Sequence, residues 1–203
     1  MTGVQTCALP ICFPVTIPDI INKSDSDYKR ACSAFARRTQ FLDFHSLYAI
    51  HSRPETVGIY FQRSHKHYFN LEESYAHCYR LLYVQYGSAS AVSQFLSRLY
   101  DILERALPKK NTMYVEGPPN SGKSWFFDMV TSYYLNIGHV KNFVRQHSFP
   151  LNDCVSRRVL MWNEPSISPS QFATFKMLAG WDPCPAAIKY EGDGKITRTP
   201  MLS

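Results

Sequence analysis

The stretch Gly117-Pro118-Pro119-Asn120-Ser121-Gly122-Lys123-Ser124 fills every fixed position of the pattern GxxxxGK[ST]. Those residue types at that spacing build a phosphate cradle. Gly117 and Gly122 let the backbone bend and approach an anion where a Cβ would intrude. Pro118, Pro119, Asn120 and Ser121 supply the backbone that wraps the phosphates between them. The successive N–H groups aim at phosphate oxygens, at the positive end of the helix that must follow. Lys123 is expected to reach the β- and γ-phosphates as a compact cation, and the Ser124 hydroxyl to ligate Mg²⁺. The ligands implied are ATP and Mg²⁺.

Hydrolysis needs a second group, an acidic residue that holds Mg²⁺ through water and polarises the attacking water. Arg158-Val159-Leu160-Met161-Trp162-Asn163-Glu164 supplies it. An apolar run ending in Asn163 and Glu164 puts both at the carboxyl edge of a sheet, where ligands of parallel α/β proteins bind. Glu164 is the expected catalytic carboxylate, and Asn163 is suited to orient the water or the γ-phosphate. With Lys123 they form the expected catalytic set.

Elements must place these groups. Thr112 to Val115 reads as a strand entering the loop, and Ser124 to Leu135 as the helix leaving it. Arg158 to Trp162 is a second strand. This alternation predicts an α/β domain with a mainly parallel sheet. Upstream, Lys29 to Phe41 can form a helix. Leu71 to Tyr86 and Ala91 to Leu107 carry apolar residues at helical spacing, broken at Gly87 and Ser88 and closed by Pro108. Downstream, Phe172 to Leu178 is helical in pattern. Ala186 to Tyr190 and Lys195 to Thr199 read as two arms of a hairpin around Glu191-Gly192-Asp193-Gly194. Ile196 to Ser203 reads as a strand entering a core.

Taken in order, these residues resemble the superfamily 3 helicases of small DNA viruses, in particular the helicase domain of the large non-structural replication protein of parvoviruses and densoviruses. The likeness covers roughly residues 90 to 203. It runs through Lys109-Lys110-Asn111-Thr112, the Gly117–Ser124 loop, Phe126-Phe127-Asp128 and Trp162-Asn163-Glu164-Pro165. It continues through Phe175-Lys176-Met177, Gly180, Ile188-Lys189-Tyr190 and Arg198-Thr199-Pro200. The resemblance implies a P-loop NTPase fold of the AAA+-like kind. It implies ATP-dependent DNA unwinding by a hexameric ring, acting on single-stranded or unwinding duplex DNA in the host nucleus. It places Lys195 at the tip of the hairpin against the DNA backbone, with Lys189 in support. Many relatives carry two carboxylates where this chain has Asn163 and Glu164; the Asn-Glu-Pro form resembles the densovirus branch. The family's polar sensor and arginine finger are expected beyond Ser203, so these 203 residues are expected to bind nucleotide weakly and hydrolyse little of it.

Composition sets the outer bounds. A hydrophobic fraction of 45% suits a packed core and excludes a disordered chain. No apolar run approaches the roughly 20 residues that cross a bilayer, so no membrane association is expected. A formal charge of +6 suits an anionic partner such as nucleic acid. Residues 1–12 resemble a translated sequencing adaptor and are set aside, and the C-terminal run reads as a chain cut short. The expected organisation is residues 13–90 as a mostly helical region of unclear role and 91–203 as the ATPase domain. Cys32, Cys78, Cys154 and Cys184 contain no CxxC pair and read as reduced thiols. His65-Lys66-His67 resembles the paired-histidine metal motif of rolling-circle nucleases, yet Lys66 between the rings favours a solvated basic surface. Two other readings stand beside the motor. One is an endogenised or mis-assembled remnant without activity. The other is a small-molecule phosphotransferase, for whose lid Arg145, Arg157 and Arg158 are few and ill-placed.

Overall fold

The computed structural model describes residues 24–52, 69–144, 148–189 and 192–203. The chain forms two compact units, Met1–Tyr68 and Phe69–Ser203. The division thus falls at 68/69, whereas the sequence pattern suggests 90/91. The helix over 71–86 is joined to the second unit by the stacking of Tyr86 on Phe95 at 4.8 Å and by a Cys78 Sγ–Met129 Sδ contact of 3.5 Å.

In the first unit, α1 spans Asp25–Thr39 and α2 spans Phe44–His51. The helix starts four residues ahead of the expected Lys29 because Ser24 caps it, accepting the Asp27 N–H. Asp43 caps α2 through the Ser46 N–H at 2.7 Å. Phe35, Thr39 and Leu47 are buried. Arg53 to Tyr68, with His65-Lys66-His67, lies outside the described residues.

The second unit opens with α3, Leu71–Tyr86, whose Asn70 and Glu73 form a reciprocal capping box. Gly87 ends it at φ 75°, and Ser88 then caps α4, Ala89–Leu103. Val92, Leu99, Ile102 and Leu103 form the buried stripe of α4. The expected run to Leu107 stops four residues short. Arg105 turns to φ 58°, and the Ala106 N–H returns to the Asp101 carbonyl at 2.8 Å, a Schellman-type closure. Pro108 also disfavours helical backbone at the residue before it.

Thereafter the chain alternates. In order come β1 (Thr112–Met113), α5 (Lys123–Tyr133), β2 (Ile137–His139), β3 (Val159–Met161), α6 (Phe172–Gly180), β4 (Cys184–Ala186), β5 (Gly194–Ile196) and β6 (Met201–Leu202). One sheet has the order β1-β6-β3-β2 with every pairing parallel, as the alternation predicts. The run expected as a last strand supplies β6, buried between β1 and β3. Leu160 and Trp162 face one side of the sheet, in a cluster with Leu178, Cys184, Ala186 and Ile196. Val159 and Met161 alternate to the other side. No helix among the described residues is long and apolar enough to cross a membrane.

β4 and β5 form an antiparallel hairpin in which Cys184 faces Ile196, Pro185 faces Lys195 and Ala186 faces Gly194. The hairpin is where the sequence predicts one, but its register corrects the expectation. The first arm starts two residues earlier, and the connection runs over 187–193. Lys195 therefore sits within β5, opposite Pro185, and not at the tip. The cause is burial: Cys184, Ala186 and Ile196 are the inward residues, and a one-residue slip would turn all three outward. Gly194 adds a steric lock, since a Cβ there would lie 2.8 Å from both Ile188 and Val155 side chains.

Candidate functional site at the carboxyl edge of the sheet

β1 delivers the chain to the loop over 117–122. Its ladder continues past the strand: the Ser203 N–H bonds the Met113 carbonyl at 2.9 Å and the Val115 N–H bonds the Ser203 carbonyl at 2.7 Å. The loop then needs left-handed backbone twice. Asn120 adopts φ 61°, which its short amide tolerates, and Gly122 adopts φ 85°, which favours glycine. Gly122 is the N-cap of α5, so no side chain caps that helix, and its first N–H groups face the loop.

Lys123 closes the loop from inside. Its ammonium donates to the Gly117 carbonyl at 2.6 Å, the Pro118 carbonyl at 2.9 Å and the Ser121 hydroxyl at 3.2 Å. The first and last turns of the loop are thus tied through one cation.

β3 delivers the acidic side. Trp162 is buried, and its indole N–H donates to Asn142 Oδ1 at 2.8 Å. The same oxygen accepts the Ser166 N–H at 2.9 Å, and the Phe143 N–H bonds the Ser166 carbonyl at 3.0 Å. Asn142 therefore pins both ends of the turn that carries Asn163 and Glu164. Within it Glu164 takes φ 48°, a left-handed conformation costing an ordinary residue roughly 1–2 kcal/mol. Six other described non-glycine residues are left-handed too, so what marks Glu164 is its place at the end of β3, in a turn held by Asn142.

The two deliveries meet. A cleft of about 550 Å³ is lined by Gly117, Asn120, Lys123, Ser124, Asn163 and Glu164, among others. Pro119 lines it as well, while Ser121 and Gly122 line a smaller crevice of about 150 Å³ on the α3 side, and Pro118 lines neither. The donor set suits a hard cation: a serine hydroxyl and a carboxylate beside an ammonium. Lys189 and Lys195 lie on the hairpin segment, outside the cleft lining, both exposed; the Lys189 N–H is held by Asn152 Oδ1 at 2.8 Å. Tyr114, Glu116 and Ser203 also line the cleft and were not foreseen. The signal for them is positional, since each follows the last paired residues of a strand that ends at this edge. Asn142 carried no local signal, because its partners lie 20 and 24 residues away.

The other chemistries recede. Burial pushes the Cys154 thiol up to about 12 and raises that of Cys184. Neither is a thiolate at neutral pH. Among the described residues no group of three or more His, Cys, Asp or Glu could hold a metal. Arg157 is paired with Asp153, and Arg158 is buried against Glu104 at 2.7 Å. Neither lines the cleft, as a phosphotransferase lid would, and Arg145 lies outside the described residues.

A parallel α/β sheet whose carboxyl edge carries a glycine-turned loop, an uncapped helix start and a carboxylate two strands away is compatible with the P-loop NTPase class. The chain belongs to the family described as Parvovirus non-structural protein NS1, whose profile matches residues 62–203. It is 36% identical to the initiator protein NS1 of Bombyx mori densovirus over 112 residues, 55% of this chain and 13% of that protein. It is 35% identical to the initiator protein NS1 of Junonia coenia densovirus over 136 residues, 66% of this chain and 25% of that protein. Protein Rep52 of adeno-associated virus 2 is 27% identical over 94 residues, 46% of this chain and 23% of that protein. The chain thus spans a quarter or less of these relatives.

Proposed function

We propose that this chain is part of a viral replication initiator and carries the ATP-binding core of a superfamily 3 DNA helicase. The observation that carries the reading is the shared cleft: Lys123 and Ser124 line it from the loop, and Asn163 and Glu164 from β3. The relatives are initiator proteins by name, which supports a role in starting viral DNA replication.

In this reading the loop N–H groups and the start of α5 bind the β- and γ-phosphates of ATP. Lys123 leaves its carbonyl partners to pair with phosphate oxygens, exchanging neutral acceptors for charged ones. Ser124 and Glu164 hold Mg²⁺, which when bound neutralises charge on the transferring phosphoryl group. Glu164 polarises the attacking water and Asn163 orients it. Lys195, exposed on β5, and Lys189 contact DNA phosphates, a contact that is independent of sequence and weakened by salt. The ring of subunits and the nuclear location belong to the same proposal, for the longer protein.

The test is nucleotide binding by the 203-residue chain, read by titration with a fluorescent ATP analogue and Mg²⁺. Lys123→Ala is expected to weaken binding about 100-fold or more, since charge-assisted bonds contribute roughly 1.5–3 kcal/mol each. Equal affinity of the two proteins would overturn the assignment.

A further inference from the structure

A side chain outside the loop motif also touches the loop. Gln85 lies in the last turn of α3, and its Nε2 donates to the Ser121 carbonyl at 3.1 Å. One turn earlier Leu81 packs beneath the same peptide, since a Cβ on Gly122 would meet its Cδ1 at 3.1 Å. So α3 grips the Ser121–Gly122 peptide through one polar and one apolar contact. Lys123, on the inner side, holds Gly117, Pro118 and the Ser121 hydroxyl.

The consequence follows from peptide geometry. In a trans peptide the C=O and the next N–H point in opposite directions, and no described peptide bond here is cis. Drawing the Ser121 carbonyl toward α3 therefore aims the Gly122 N–H away from α3. The position needs such a hold. Glycine at φ 85° moves between backbone regions with little penalty, and a rotated peptide would present a carbonyl oxygen to the phosphates in place of a donor.

We infer that Gln85 is a positioning residue for polyphosphate binding, fixing the Ser121–Gly122 peptide so that the Gly122 N–H serves as a phosphate donor. The inference rests on the ATP-binding reading above and extends it to a helix 32 residues ahead of the loop. It makes α3 part of the nucleotide site.

The test compares the wild-type chain with Gln85→Met, which keeps length without a polar group, and Gln85→Lys, which keeps an N–H donor within reach. The probes are ATP and inorganic tripolyphosphate. The readouts are affinity, the ¹H–¹⁵N signal of the Gly122 amide during tripolyphosphate titration, and the melting temperature. Gln85→Met is expected to weaken both ligands about 2- to 10-fold, the worth of one neutral hydrogen bond. It is also expected to reduce the Gly122 amide shift and to leave the melting temperature unchanged, because Gln85 is exposed. Gln85→Lys is expected to retain that shift. If the wild type binds both probes and Gln85→Met matches it in affinity and in the Gly122 shift, the positioning role is overturned while the phosphate loop stands. The role is equally overturned if Gln85→Lys loses the shift as Gln85→Met does. A wild-type chain that binds neither probe overturns the ATP-binding reading itself.

Discussion

The two edges of the parallel sheet are built on opposite rules. At the amino edge each of the four strands is preceded by a buried polar residue: Asn111 before β1, Asn136 before β2, Arg158 before β3 and Thr199 before β6. Each is hydrogen-bonded. Asn111 Nδ2 reaches the carbonyls of Thr199 at 2.6 Å and Leu178 at 3.3 Å. Asn136 Nδ2 donates to the Ser156 carbonyl at 2.9 Å, and the Thr199 hydroxyl to the Thr197 carbonyl at 2.6 Å. Arg158 donates to the Leu103 carbonyl and to Glu104, over the ring of Tyr134. At the carboxyl edge the polar residues Tyr114, Asn163 and Glu164 are exposed. Left-handed backbone is common to both edges: Asn120, Gly122 and Glu164 adopt it here, and Lys109, Leu135 and Ser156 adopt it just ahead of the strands. One edge uses polar groups to fix strands in place. The other leaves them exposed around the cleft.

The sharpest way to break this contrast is at Arg158. Its guanidinium is 2% exposed and paired with Glu104, which also accepts the Tyr134 hydroxyl at 2.9 Å. Burial, then the Glu104 carboxylate, raises the Tyr134 hydroxyl well above its usual range. Removing Arg158 takes away two charge-assisted hydrogen bonds, to the Leu103 carbonyl and to Glu104, while Glu104 keeps the Tyr134 hydroxyl and the nearby Arg105 charge, so a cost of about 3 kcal/mol follows. Arg158→Met is therefore expected to lower the urea midpoint by that amount of stability, far from the cleft. A loss below 1 kcal/mol would mean that the amino edge is not the anchor. Asn111→Ala is the next step down. It removes the donor to two buried carbonyls without creating a charge, and about 1–3 kcal/mol is expected by the same measurement. By contrast Lys123→Ala, at the other edge, loses three hydrogen bonds to loop groups that water can replace, so a cost of about 1 kcal/mol or less is expected beside the roughly 100-fold loss of nucleotide affinity.

Much of the carboxyl edge was legible in the residues, and little of the amino edge was. The loop motif is contiguous, so Gly117 to Ser124 declares its strand, its turn and its helix within a few positions of each other. Asn163 and Glu164 could be placed because an apolar run must end somewhere, and in a parallel sheet that end faces the ligand. Asn111, Glu104 and Arg158 offered no such pattern. Each acts across a separation of about 50 to 90 residues, through contacts that exist only once the sheet is assembled. The hairpin lies between these cases. Its Asp193-Gly194 turn signal was visible, but the register was set by which of Cys184, Ala186 and Ile196 turn inward, and that depends on the core they meet. Lys195 was displaced from the tip for this reason. Helix ends erred for a local cause: Ser24 and Arg105 end or begin helices through cap geometry, which apolar periodicity does not report.

The smallest effect expected is also the one that distinguishes strain from accident. Glu164 occupies a left-handed backbone at φ 48°, exposed, with its turn pinned from both sides by Asn142. If the strain is tolerated for the sake of the carboxylate, Glu164→Gly should relieve it. Glycine reaches that conformation without steric penalty but loses more freedom on folding, so the net gain is about 0.5–1 kcal/mol. Urea denaturation should thus place the variant above the wild type in stability, while Mg²⁺-dependent tightening of ATP binding disappears with the carboxylate. Glu164→Asn, whose side chain tolerates the same backbone, should gain less and keep an oxygen in the cleft. A destabilised Glu164→Gly would instead show that the carboxylate contributes to folding, and the two edges would then differ in exposure but not in purpose.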